Sequence, residues 1–147
     1  MAAQAWQSYN EFKLNLGKKV IHLDTDAFNL ALFLSTSNAG SVSLVTAQYA
    51  NLTNEHANAN GYTTGGVLVN GTYTAAGATM TFDVDDASWN ATGGSITARF
   101  GVIYSNTATN KDLVCFSNLD STPADVTVTT GNTLTIQINA SGVFTLA

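Results

Sequence analysis

The chain has 147 residues, with 45% hydrophobic and only 10% charged side chains, and ten acidic against five basic groups give it a formal charge of −5. That length suits one ordinary domain able to bury its own core, and the apolar fraction is too high for a disordered chain. An acidic chain whose only near-cluster of cations is Lys13, Lys18 and Lys19 excludes nucleic acid as a partner, since phosphate binding needs grouped Lys and Arg to displace counterions.

Ala5, Tyr9, Phe12 and Leu16 recur at helical spacing and Trp6 widens the stripe, which predicts an amphipathic helix over residues 4–16 closed by Gly17 as a left-handed cap. Such an aromatic face either folds onto a sheet or reaches a neighbouring subunit, so Trp6, Tyr9 and Phe12 are interface candidates. Met1 to Trp6 lacks the basic-then-apolar order of a signal peptide, and no apolar run approaches membrane-spanning length; the expectation is a soluble chain with no membrane partner.

From Phe28 onward the pattern changes to strand-sized runs between turn formers. Phe28 to Leu34 is apolar on both faces, as an interior strand requires. Val42 to Val45 reads as a short strand or the entry to a brief helix over residues 47–52. Glu55 to Gly66 is rich in Asn and Gly and reads as an ordered surface loop or interface element, with Asn58, Asn60 and Tyr62 as contact candidates. Asn70-Gly71 between Val67–Val69 and Thr72–Thr74 predicts a tight hairpin, or else one strand bulged at Gly71.

Thr79 to Val84 alternates as a half-buried strand, and residues 96–102 repeat that logic as one run. Further strands are expected at Val102–Tyr104, Leu113–Phe116, Val126–Thr129, Thr133–Ile138 and Gly142–Leu146, the last two joined by a hairpin at Asn139–Gly142. The fold class predicted is mainly β: an antiparallel β-sandwich or jelly-roll-like domain over residues 21–147, preceded by a helix and arm over residues 1–20.

Reactive constellations are sparse. Cys115 is the single cysteine, flanked by Val114 and Phe116 as in a buried strand, and neither His22 nor His56 has a readable partnership with it. Asp83, Asp85 and Asp86 form the one acidic concentration, a weak candidate for a hard cation such as Ca²⁺. A calcium loop starting at Asp83 would need Gly where Ser88 stands and Glu where Gly94 stands, so a strand ending in a solvated turn is the simpler reading. Gly93-Gly94-Ser95 lacks both the nucleophile-elbow and the phosphate-loop patterns. His56 beside Glu55 has no second histidine at ligand spacing. Trp89, Tyr62, Tyr73 and Tyr104 would make a carbohydrate-stacking platform if exposed together. The expectation is a protein that is not an enzyme and carries no catalytic residue, cofactor or metal.

Five segments stand out together: Leu23-Asp24-Thr25-Asp26 leading to Ala31-Leu32-Phe33; Ala57 to Val67; Thr81 to Trp89; Gly93 to Arg99; and Gly131 to Ile136 followed by Asn139 to Gly142. In this order they resemble a family of small virion structural proteins of tailed bacteriophages, assigned in some phages as capsid decoration, or cement, proteins. The resemblance covers most of the chain. It implies a structural protein made in the host cytoplasm and carried on the capsid surface, with the major capsid protein and further copies of itself, as a dimer or trimer, for partners. Contacts would then come from the helix, the Asn58–Gly66 loop, or both. The alternative is a tail-associated or exposed virion module that binds host-surface glycans.

Overall fold

A computed structural model describes residues 3–147. In chain order its elements are β1 (Gln7–Ser8), α1 (Asn10–Gly17), β2 (Phe28–Phe33), β3 (Val67–Val69), β4 (Gly71–Ala76), β5 (Thr79–Val84), β6 (Ala87–Asn90), β7 (Ile96–Ala98), β8 (Phe100–Ser105), β9 (Leu113–Asn118), β10 (Val126–Val128), β11 (Thr133–Ile136) and β12 (Phe144–Leu146). Single 3-10 turns lie at Asn38–Gly40 and Tyr49–Asn51. The protein is mainly β, with several antiparallel sheets and one short N-terminal helix. No sheet closes into a barrel among the described residues.

The largest sheet runs β1-β9-β8-β2-β3, antiparallel throughout. Strand β2 is buried on both faces, as its unbroken apolar run demands, and Leu30 pairs with Ile103 while Leu32 pairs with Gly101. A three-stranded sheet, β12-β5-β4, turns Tyr73, Phe82 and Phe144 toward the interior. Phe82 meets Phe28 of the large sheet edge-on at 5.0 Å, and Phe144 meets Phe12 of α1 at 5.5 Å. Two-stranded ribbons β10-β7 and β11-β6 complete the set.

Several sequence expectations change. First, residues 4–8 are extended: Gln4 N–H donates to Asn118 O at 2.9 Å, and Gln7 and Ser8 pair with Phe116 and Cys115. The edge of β9 supplies backbone partners to this stretch, which an isolated first turn of helix would leave to water. The helix therefore spans only Asn10–Gly17, with Tyr9 and Phe12 in the core. Its left-handed cap is Lys19 at φ 58°, not Gly17; Val20 N–H donates to Asn15 O and Lys19 N–H to Leu16 O, the paired bonds of a Schellman ending.

Second, Asn70-Gly71 is no hairpin. Strand β3 pairs with β2 and β4 pairs with β5, so the chain crosses between sheets at Asn70. Gly71 is needed for packing instead, because a Cβ there would lie 2.7 Å from the Phe28 ring. The hairpin turn lies one step on, at Gly77-Ala78, with Gly77 at φ 62°. Third, residues 96–102 form two strands parted at Arg99, and the Asn139–Gly142 turn sends β11 to β6 and β12 to β5, not to each other. The stretch over residues 42–45 is loop.

Candidate functional site

The Asn/Gly-rich loop is held from below by one carboxylate. Glu55 Oε1 accepts from the Tyr62 hydroxyl at 2.6 Å and from Gly65 N–H at 2.7 Å, and its Oε2 accepts from the Tyr49 hydroxyl. Tyr104 O–H and Asn29 Nδ2 both donate to Gly65 O, at 2.8 and 3.0 Å. Tyr62 also accepts from Leu32 N–H, which ties the loop to β2. Burial raises the pKa of all three phenols, with Glu55's charge adding to it, and Tyr104 is pushed up to about 12. These hydroxyls stay protonated donors, and the cluster acts as a strut. Nothing in the sequence signals it, because positions 49, 55, 62 and 104 share no spacing.

The loop itself is ordered. Asn60, at φ 59°, donates from Nδ2 to Ser95 O at 2.9 Å, and Asn58 Oδ1 accepts from Thr64 N–H. Gly61 and Gly66 have φ of 91° and 74°, and a Cβ on either would strike the backbone oxygen of Asn90 or Leu30 at about 2 Å. Asn58 is exposed and Asn60 half-buried, whereas Tyr62 lies in the core and offers no surface contact. The same holds for Tyr9 and Phe12. Of the N-terminal candidates Trp6 alone keeps an accessible face, beside a cleft of about 690 Å³ lined by Ala3–Trp6 and Gln137–Val143, none of which is ionisable.

The three aspartates do not converge. Asp85 Oδ2 accepts from Asn70 Nδ2 at 2.7 Å, Asp86 Oδ1 from Ile138 N–H at 2.8 Å, and Asp83 Oδ1 from the neighbouring Val84 N–H. Each secures a turn or a strand end, and no group of three metal-ligating side chains gathers among the described residues. Cys115 is fully buried, and burial raises its thiol pKa, the opposite of what a nucleophile needs. His56 packs edge-on against Tyr62 at 5.2 Å with Nδ1 2.8 Å from Ala57 O, so its place is under the loop rather than on it.

A second polar group lies beside a cleft of about 400 Å³ lined in part by Lys19, His22, Asp26 and Asp112. Ser105 Oγ donates to Asp26 Oδ2 at 2.8 Å, and His22 Nδ1 is 3.7 Å from Asp26 Oδ1. The serine is thus bonded to the carboxylate and not to the imidazole, which is not the Ser–His–Asp order of a catalytic triad. Asp112 is buried and receives Asn15 Nδ2 at 3.2 Å; burial, then the charge of Glu11, raise its pKa.

The aromatic platform is absent: Trp89, Tyr62 and Tyr104 are core residues, and only Tyr73 is half-exposed. What the protein presents instead is a threonine face. Thr74, Thr81 and Thr145 form a row across β4, β5 and β12, with Thr72 and Thr79 beside it, all on the side opposite Phe82. No protein-family model, curated protein or solved structure matches the chain.

Proposed function

We propose that this chain is a non-enzymatic structural protein of a tailed-phage particle, a capsid decoration (cement) protein that binds the outer lattice through the major capsid protein and through copies of itself. The observation that carries the reading is the use made of the ionisable side chains. Glu55, Asp85, Asp86 and Asp26 all hold turns, loops or strand ends in place, and the outer face of the β12-β5-β4 sheet presents threonines. The sequence resemblance to virion structural proteins supports the same conclusion, and several segments that carry it are the rigid ones, including the strutted loop over residues 57–67.

In this reading the sheets stack as a sandwich-like brick, supported by the Phe28–Phe82 and Phe12–Phe144 contacts between layers. Many copies with modest contacts would reinforce a shell through multivalency, with no single tight site. A charge of −5 fits a protein that meets protein and not DNA. Among the described residues no helix is long and apolar enough to cross a membrane. The glycan-binding alternative loses its main support with the burial of Trp89, Tyr62 and Tyr104.

The test is addition of the purified chain to capsids assembled without it. Saturable co-sedimentation and a higher rupture temperature of the decorated capsids are expected. No co-sedimentation at micromolar concentration overturns the proposal.

A further inference from the structure

We infer that the free edge of β4 is a self-pairing surface, through which two copies join as antiparallel neighbours in one continuous six-stranded sheet. Of the strands with an unpaired side among the described residues, β4 is the longest at six residues; the others have two to four. Its sequence, Gly71-Thr72-Tyr73-Thr74-Ala75-Ala76, contains no charge and no proline, and its register with β5 has no bulge. Soluble proteins protect such edges with Lys, Pro, bulges or a covering element. Here Thr72, Thr74, Ala75 and Ala76 are all exposed, as are Gly77 and Ala78 at the hairpin tip.

The inner register fixes which groups are free. Ala76 and Thr79 close a two-residue hairpin, and Asp85 N–H donates to Asn70 O at 3.2 Å, so Asn70, Thr72, Thr74 and Ala76 turn their backbone groups toward β5. The alternate residues Gly71, Tyr73 and Ala75 then aim N–H and C=O outward, where a neighbouring strand can take them.

A second copy is the occupant that fits. A two-fold axis through Tyr73 sets Gly71 opposite the partner's Ala75 and Tyr73 opposite the partner's Tyr73, so that three pairs of outward residues each exchange two backbone hydrogen bonds. On the solvent face the same register places Thr72 opposite the partner's Thr74, a cross-strand pair sheets favour. No charged side chain of β4 faces its copy across the edge, and a two-fold pairing closes without propagating into a fibre. The inference does not depend on the capsid reading, since pairing is measured on the isolated chain.

The experiment is sedimentation equilibrium of the full chain at low ionic strength, where charge effects are least screened. Wild type is expected to dimerise in the micromolar range. Thr72→Lys/Thr74→Lys puts like charges opposite each other twice and is expected to weaken the dimer about tenfold or more. Thr72→Lys/Thr74→Glu adds the same bulk at the same exposed sites but sets Lys against Glu across the axis, and is expected to restore the dimer. A wild-type chain monomeric at about 100 μM overturns the inference, as does a Lys/Lys variant that dimerises normally. Failure of the Lys/Glu variant to recover overturns the register and with it the pairing.

Discussion

Glu55 shows how one residue can organise a surface without touching a ligand. Its two oxygens take three donors, Tyr49 O–H, Tyr62 O–H and Gly65 N–H, which tie a 3-10 turn and the far end of the Asn/Gly-rich loop to Glu55 at its near end. A carboxylate accepts such bonds more strongly than an amide because the charge assists each of them. Glu55→Gln keeps the volume, yet it replaces one acceptor oxygen with an NH₂ that faces donors. We expect a loss of about 2 kcal/mol, because partly buried donors are left unpaired. In a chain of this size that is a fall in Tm of about 4–8 °C. A melting curve within about 1 °C of wild type would show that the loop stands without its strut. In the sequence Glu55 figures only as the neighbour of His56, which has no second histidine at ligand spacing; its three donors come from positions 49, 62 and 65, and the fold alone brings them to one carboxylate.

At the scale of elements, α1 ends on a residue that pays a steric penalty. Lys19 adopts φ 58° in a Schellman ending, a conformation in which a Cβ is costly and glycine is not. Lys19→Gly should therefore stabilise the protein by about 0.5–1 kcal/mol, the strain relieved being partly offset by the freer unfolded chain. A denaturant midpoint that shifts upward with unchanged slope is the expected reading, and a downward shift would mean that the Lys19 side chain supports the cleft it lines. Gly17 two residues earlier misled the sequence reading because the apolar stripe ends at Leu16 and glycine is the usual stop.

The same distinction runs through the strands. Thr79–Val84 and Phe28–Phe33 were legible almost to the residue, since their periodicity reports burial directly. Pairing was not. At Asn70 and at Asn139–Gly142 the turn chemistry was read correctly as a break, but the chain uses each break to change sheets, and at Arg99 it changes sheets inside what reads as one unbroken run. Local propensity cannot report that choice, because the partner strand is selected by burial of residues far along the chain, such as Phe28 beneath Gly71. Strand β1 escaped notice for a related reason: two residues carry no periodicity, and only the edge of β9 makes them a strand.

For the whole molecule, the same packing that removes reactive groups from the surface sets its response to alkali. Tyr9, Tyr49, Tyr62 and Tyr104 all have raised pKa values, burial being the largest cause in each. In the unfolded chain their phenols lose protons near pH 10. A group that holds its proton more tightly when folded contributes stability that is fully present below its unfolded pKa and is lost as pH rises toward the folded one. Stability should therefore be level up to about pH 9 and fall steeply above about pH 10, with tyrosinate absorbance at these sites appearing together with unfolding rather than ahead of it. Tyr62→Phe removes one of these phenols, so its alkaline slope should be shallower even though its neutral-pH stability is lower through loss of the bonds to Glu55 and Leu32. Denaturant titrations at pH 8 to 11 check both points. Unchanged stability through pH 11 would mean that the buried phenols ionise in place, and that the interior is far wetter than the burial of these side chains indicates.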